Sequence, residues 1–284
     1  MINPRLDQWL MDFLAEDLGS GDITSMALLD SEGRRGFFSS RKGGVVAGLP
    51  FAQRLYQLLG VENWQSHYPE GAKVPAGTVI AEVKGPGHLL LQGERVALNV
   101  LQRLGGIATA TRQMADLAGS HTRVIDTRKT TPGFRWFEKY AVRTGGGYNH
   151  RWGLYDAVML KDNHIKLAGG IGLAVARVKA SLGHTAKIEV EAEALPQVQE
   201  ALSAGADIIM LDNMSPAQVA EAVQLVAGKA ITEASGNIGP HNLADYVATR
   251  VDYISMGFLT HSVKALDIGF DLDQPKEDSG NEKF

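Results

Sequence analysis

The sequence predicts an α/β protein in two parts: an N-terminal region with a small antiparallel or mixed sheet, then a longer region of parallel strands alternating with helices. Three observations predict it. From about residue 120 onward, six short apolar and partly β-branched segments recur, at 123–127, 157–161, 187–191, 207–211, 230–234 and 253–256. Amphipathic stretches at about 170–182, 194–204, 215–227 and 240–249 separate the later ones, a rhythm of roughly 20 to 23 residues that fits a strand plus a helical crossover. Charged residues stand at the C-terminal ends of successive strands, which in a parallel β/α fold lie on one face. Six units are fewer than the eight of a closed barrel, so an incomplete barrel and an open doubly wound sheet both satisfy the pattern.

Taken in order, Asn3-Pro4 reads as a helix start, and Leu6, Leu10, Phe13 and Leu14 then share one face of a helix of about four turns. Residues 19–25, GSGDITS, read as a loop. From Gly36 to Leu49 the pattern is strand-like around the turn Lys42-Gly43-Gly44, and a helix follows from about Pro50 to Leu59. Glycines and prolines between 71 and 87 divide Val79–Val83 and the apolar run Leu89–Leu91 into short pieces of the small sheet. Gly93 to about Leu117 has helical spacing, and Gly105 and Gly106 inside it point to close packing or a break. The domain boundary is placed within or just after this helix, giving residues 1–110 and 111–269, with 270–284 returning to the first domain or disordered in its polar end.

Composition bounds the function. The chain has 284 residues, 44% of them hydrophobic and 21% charged, with formal charge −4 and no cysteine. An acidic balance without an extended basic face argues against a nucleic-acid partner. The absence of cysteine removes disulfides, thiolate nucleophiles and Cys-ligated metals, and fits a reducing cytoplasm. No apolar run reaches the roughly 18 residues of a membrane span, and the acidic residues in the first 18 positions do not suit a signal peptide.

Against that acidic background, residues 128–161 carry Arg128, Lys129, Arg135, Lys139, Arg143, Arg151 and Lys161 against only Glu138 and Asp156, which points to a bound anion. The run Gly145–Gly147 lets the backbone bend sharply and bring polar groups close to a ligand. Strand ends read in order are Arg128 and Lys129, Lys161, Glu191 and Glu193, Asp212 and Asn213, Glu233 with Ser235 and Gly236, then Ser255 and Gly257. Arg128 and Arg151 are planar forks for carboxylate or phosphate, and Lys129 and Lys161 are point charges for phosphate oxygens. Glu191 and Asp212 suit sugar hydroxyls or Mg²⁺. Residues 233–239 read as a strand running into a helix whose free N–H groups bind phosphate, with Gly257 completing the site. His150 is a ligand contact or proton donor, His164 equally a ligand contact or a structural hydrogen-bonder, and Arg95 a solvated helix charge. Trp136, Phe137 and Tyr140 read as packing. The remaining histidines lack metal-ligand spacing, and no Walker loop or strand-following GxGxxG is present.

Several motifs in order carry a resemblance: TRKTTPG, EKYAV, GGG-x-NHR, GLYDAV, LKDNH, EVE, LDN, EASGNI and ISMGxLTHS, with EDLGSGDIT and GERVALN upstream. From Glu16 to Ser262 the chain resembles the quinolinate phosphoribosyltransferases. The resemblance implies an N-terminal α/β sandwich domain joined to an incomplete parallel, TIM-like α/β barrel. It implies a homodimer or higher oligomer in which the N-terminal domain of one subunit closes its neighbour's barrel mouth. It also implies decarboxylating transfer of phosphoribose from 5-phosphoribosyl-1-pyrophosphate to quinolinate, giving nicotinate mononucleotide for NAD synthesis.

Carried over by position, Arg128, His150 and Arg151 would bind the quinolinate carboxylates, with Arg95 supplied by the adjacent subunit. Lys129 and Lys161 would face the pyrophosphate. Glu191 and Asp212 would hold ribose hydroxyls and, directly or through water, Mg²⁺. Ser235, Gly236, Asn237 and Gly257 would cradle the 5-phosphate, with Thr130, Met256 and Phe258 among the substrate-binding positions. Tyr148 fills the open place of GGG-x-NHR and removes no charge. Competing readings are a molybdenum-transport-linked relative, a phosphoribosyltransferase acting on nicotinate itself, and a non-catalytic sensor that would be expected to have lost one of Lys129, Lys161, Glu191 or Asp212.

Overall fold

A computed structural model describes residues 3–28 and 33–273. The polar tail expected to be disordered lies outside the described residues. The chain divides into two compact units, one made of residues up to Thr109 together with those from Lys264 onward, the other of Ala110–Val263.

The first unit begins with helix α1 (Leu6–Leu18) and a short α2 (Ile23–Leu28). The loop expected at 19–25 ends early, because the Asp22 carboxylate accepts the N–H groups of Thr24 and Ser25, both at 3.0 Å, and caps a turn of helix there. Strands β1 (Gly33–Ser40), β2 (Gly44–Val45), helix α3 (Leu49–Leu58), β3 (Asn63–Ser66), β4 (Lys73–Val74) and β5 (Thr78–Pro86) follow. Strands stand on both sides of the turn at Lys42-Gly43-Gly44, as expected, but they do not pair with each other: β1 pairs with β5 and with the final strand β12 (Ile268–Leu272), while β2 pairs with β4. Aromatic burial decides this, since Phe38 is fully buried with Phe270 of β12 at 4.8 Å and Trp64 of β3 at 5.5 Å between ring centroids. The result is a four-stranded antiparallel sheet in the order β12-β1-β5-β3.

Helix α4 (Gly87–Ala118) is longer than expected and takes in Leu89–Leu91, with Leu90 fully buried in the core of the first unit. Gly105 and Gly106 do not break it. They mark close packing, since a Cβ on Gly106 would stand 2.3 Å from the Lys264 carbonyl oxygen.

The second unit contains β6 (Arg123–Ile125), α5 (Arg135–Thr144), β7 (Val158–Leu160), α6 (Asp162–Ala168), α7 (Ile171–Ser181), β8 (Ile188–Ala192), α8 (Leu195–Ala204), β9 (Ile208–Asp212), α9 (Pro216–Val226), β10 (Ile231–Ser235), α10 (Leu243–Ala248), β11 (Tyr253–Ser255) and α11 (Phe258–His261). All six strands are parallel, in the order β6-β11-β10-β9-β8-β7. The first strand is added to the last and the others run in sequence. That order belongs to a barrel, whereas a doubly wound sheet places its first strand centrally with a reversal. Among the described residues β6 and β7 do not pair, so the barrel is incomplete between them, and Tyr148 bridges to Ile125 at that edge.

Alternation along the strands separates two environments. Val190, Ile209, Leu211, Ala234 and Ile254 are buried in the apolar core shared with the helices. Their neighbours Glu189, Glu191, Asp212, Glu233, Ser235 and Ser255 take the other face, the barrel interior. Mean apolarity of these strands conceals that polar inner face.

Candidate active site

Helix α5 occupies the chain segment between β6 and β7 and organises the site. Its Arg135 donates to Thr130 Oγ1 (2.8 Å), the Trp152 carbonyl (2.9 Å) and the Arg128 carbonyl (3.3 Å). Glu138 accepts the N–H (3.1 Å) and hydroxyl (2.9 Å) of Thr131. Lys139 donates to the Asp126 carboxylate and to the His150 carbonyl (2.9 Å). Asp126 also accepts Asn149 Nδ2 (2.6 Å) and the His150 N–H (2.9 Å). Arg143 donates to the Gly147 carbonyl (3.1 Å). So three of the seven cations read from the sequence as an anion cluster, Arg135, Lys139 and Arg143, hold groups of the protein and do not line the pocket at the strand ends. The glycine run is likewise structural: it ends α5, and none of the three residues lines the pocket.

Lys139 and Asp126 are both fully buried. Burial pushes the Asp126 carboxyl up and the Lys139 ammonium down, and their mutual attraction opposes both shifts. The donors around Asp126 are all satisfied by a carboxylate, so the ion pair is the form this network supports. It fixes residues 149–151 against the end of β6.

At the C-terminal ends of the strands lies a pocket of about 420 Å³. It brings together Arg128, Lys129, His150, Arg151, Lys161, Glu191, Asp212, Ser235, Gly236 and Asn237, ten of the fifteen residues expected from the sequence. Four cations face two carboxylates. Lys161 Nζ donates to Glu191 Oε2 at 2.5 Å and Asn213 Nδ2 to Asp212 Oδ2 at 2.7 Å. Arg151 is buried and donates to the Ala157 carbonyl at 2.9 Å; burial and the like charge of Arg128 lower its pKa. Arg128 and Lys129 have no side-chain hydrogen bond or ion pair among the described residues. A repelling pair of guanidiniums beside an unpaired ammonium is stabilised by an anion between them.

On the opposite side, Gly236 has φ +104°, and a Cβ there would lie 2.3 Å from Asn213 Oδ1. Asn213 and Asn237 are also left-handed, at φ 55° and 52°. The Asn213 N–H donates to the Ser235 carbonyl at 2.9 Å, and the left-handed pair Gly236-Asn237 has the backbone conformation of turns that receive phosphate oxygens. The expected direct run from strand into helix is absent, because α10 begins only at Leu243 after a loop at 236–242. The anion-binding shape therefore comes from the loop backbone.

The other expected residues fall elsewhere. Met256 is buried in the barrel core, and its N–H donates to the Ile125 carbonyl at 2.9 Å. Phe258 packs against that core. Gly257 lies against the Lys129 stem, where a Cβ would be 3.0 Å from Cδ, and Thr130 is engaged by Arg135. Arg95 is on α4 with its side chain 59% exposed and does not line the pocket. His164 accepts the Lys161 N–H at 3.0 Å, the structural one of its two readings. Sequence reasoning missed Thr127, Met159 and Met210 in the lining and Glu189 beneath it. Glu189 was legible in one respect: it stands two residues before Glu191 on a strand and must share its face.

The Glu191, Glu193 and Asp212 carboxylates each offer an oxygen within 4.8 Å of the others. This all-oxygen set fits Mg²⁺ in donor chemistry.

Fold and pocket define an incomplete parallel α/β barrel with a cation- and carboxylate-lined pocket at its strand ends. The family described as quinolinate phosphoribosyl transferase, C-terminal domain, matches residues 107–271, and its N-terminal domain matches 22–105. The chain belongs to the quinolinate phosphoribosyltransferase family. It is 46% identical over 271 residues to a probable nicotinate-nucleotide pyrophosphorylase [carboxylating] of Bacillus subtilis, covering 94% of this chain and 93% of that one. A quinolinate phosphoribosyltransferase [decarboxylating] of Nicotiana glauca is 41% identical, over 92% of this chain and 80% of its own. Among solved structures, the Streptococcus pyogenes NadC superposes with a TM-score of 0.92 at 42% identity, covering 96% of this chain and 98% of the other. The nicotinate-nucleotide pyrophosphorylase of Francisella tularensis gives a TM-score of 0.92 at 39% identity with the same coverage. No helix among the described residues is long and apolar enough to cross a membrane.

Proposed function

We propose that this chain transfers phosphoribose from 5-phosphoribosyl-1-pyrophosphate to quinolinate with decarboxylation, yielding nicotinate mononucleotide, pyrophosphate and CO₂ in de novo NAD biosynthesis. The observation that carries the reading is the two-sided pocket, with Arg128, Arg151 and Lys129 on one side and Glu191 and Asp212 on the other. Two adjacent guanidiniums suit a substrate with two neighbouring carboxylates better than one with a single carboxylate. Arg128, His150 and Arg151 clamp the pyridine ring. Glu191 and Asp212 accept hydrogen bonds from ribose hydroxyls, and Ser235, Gly236 and Asn237 receive the 5-phosphate.

Displacement at the ribose C1 builds charge on the leaving pyrophosphate, and Lys129 and Lys161 oppose that charge. Lys161 is held at Glu191 before substrate arrives, so it is positioned without rearrangement. Mg²⁺ held near Glu191 and Asp212, directly or through water, would neutralise further leaving-group charge. Once the ring nitrogen is quaternised it stabilises the electron pair left at C2 when the 2-carboxylate departs.

The protein acts in the cytoplasm as a homodimer or higher homo-oligomer, and Arg95 completes the quinolinate clamp of a neighbouring subunit. Its 59% exposed side chain supports that reading. Mixing Arg95→Ala with Lys129→Ala subunits tests it: a mixed dimer rebuilds one intact site, so random mixing restores about a quarter of wild-type activity. No restoration would place Arg95 outside the site.

Incubating the protein with quinolinate, phosphoribosyl pyrophosphate and Mg²⁺, with nicotinate in parallel, tests the reaction itself. Nicotinate mononucleotide and pyrophosphate are expected from quinolinate alone. Product from nicotinate alone would keep the phosphate site and reassign Arg128, His150 and Arg151.

A further inference from the structure

Decarboxylation leaves an electron pair on C2 of the pyridinium, and the product carries hydrogen there. One proton must therefore reach C2 within the pocket. Among the described residues, two buried side-chain oxygens have no hydrogen-bond partner, Glu233 Oε1 on β10 and Ser255 Oγ on β11. Both belong to the inner face of the barrel, on neighbouring strands. Ser255 lines the substrate pocket, while Glu233 lines a second cavity of about 410 Å³. His150 and Arg151 line both cavities and separate them.

The cluster of His150, Glu189 and Glu233 has donor atoms within 4.8 Å of one another and resembles a metal site. The imidazole argues otherwise. Its Nδ1 accepts the Arg151 N–H at 2.7 Å, so the ring proton of the neutral form sits on Nε2, 3.3 Å from Glu189 and 3.6 Å from Glu233. A metal on Nε2 would require that proton on Nδ1, facing another N–H donor. The cluster is built to hold protons.

We propose that Glu233, acting through the Ser255 hydroxyl, supplies the proton that C2 takes up after decarboxylation. This rests on the decarboxylating reading above. The C2–carboxylate bond breaks, CO₂ leaves, and the electron pair stays on C2. Ser255 Oγ–H protonates C2 and receives the Glu233 proton in turn, leaving a carboxylate. The second cavity then returns a proton from solvent.

The charged and titratable groups facing Glu233 are Glu189 on β8, His150 from the 148–157 segment, and Lys161 after β7, with Tyr253, Asp156 and Arg151 along the same cavity. Burial and the Glu189 charge raise the Glu233 carboxyl to about 8, against the opposing pull of His150, the nearby Ser255 hydroxyl and Lys161. It is thus an acid at neutral pH and has a proton to give.

The test compares wild type, Glu233→Gln and Ser255→Ala by steady-state turnover from pH 6 to 9. Wild-type conversion of quinolinate establishes the reaction independently of either variant. Expected are a wild-type kcat that declines above about pH 8, a fall of about 10²-fold in kcat for each variant, and loss of the alkaline limb in Glu233→Gln. KM for quinolinate should stay within about twofold, which a merely distorted pocket would not allow. Wild-type kcat in either variant would overturn the relay. A flat wild-type profile through pH 9 would overturn it even if both variants failed to fold.

Discussion

Replacing Lys139 with methionine removes the partner of a fully buried carboxylate while keeping most of the side-chain volume. Asp126 then keeps Asn149 and the His150 N–H but loses its counter-charge, and the His150 carbonyl loses a donor. Breaking a buried pair by deleting one member costs about 3–5 kcal/mol, and a buried carbonyl left unpaired adds about 1–3 kcal/mol. Partial neutralisation of Asp126 offsets some of this, so the expected loss is about 4 kcal/mol. Urea unfolding measures the loss, and hydrogen exchange of peptides covering residues 145–152 reports where it acts. The double variant Asp126→Asn/Lys139→Met should recover about half of it, because no unpaired charge remains. A loss under about 1 kcal/mol, as for an exposed ion pair, with unchanged exchange at 145–152, would refute the assignment of Lys139 as the anchor of the His150–Arg151 segment.

Other outcomes follow from the same geometry. Gly236→Ala must strain a φ of +104° and displace Asn213; it should raise KM for phosphoribosyl pyrophosphate at least about tenfold and cost about 1–3 kcal/mol of stability, as kinetics and melting will show. Lys129→Ala or Arg151→Ala should lower kcat/KM by about 10²–10³ with circular dichroism unchanged, and full turnover by either would remove its role. Glu233→Gln also has a stability signature. The wild-type carboxyl, raised from 4.5 to about 8 on folding, keeps a proton that the unfolded chain releases. Its contribution is therefore present below pH 4.5 and is lost progressively as pH rises to about 8, by up to about 1.4 kcal/mol per pH unit. The melting advantage of Glu233→Gln over wild type should grow from pH 5 to 8 and then level, and a constant difference would show that the carboxyl is not raised.

The strand-and-helix rhythm after residue 120 was legible because each parallel strand is short and apolar on its outer face, and each crossover helix is amphipathic. Eight of the ten pocket residues were legible because parallel strands put all their C-terminal ends on one side, and His150 and Arg151 because they follow the glycine run within a cluster of cations. The strands on either side of Lys42-Gly43-Gly44 were legible but their partners were not, because β1 is placed by burying Phe38 between Phe270 and Trp64, which come from distant parts of the chain. The division of cations was also illegible. Arg128, Arg135, Lys139 and Arg151 have the same charge in the sequence, and only their surroundings separate the two that line the pocket from the two that do not.

By itself, the sequence determined the order of elements, the family and the chemistry available at each strand end, since these depend on residue type and spacing. Only tertiary structure decided that the first parallel strand joins the last, that α5 spends its cations inside the protein, and that Glu233 stands buried with no hydrogen bond to Oε1. Those properties arise from pairings and desolvation between residues far apart in the chain, where side-chain identity alone does not specify which groups meet or how much water remains.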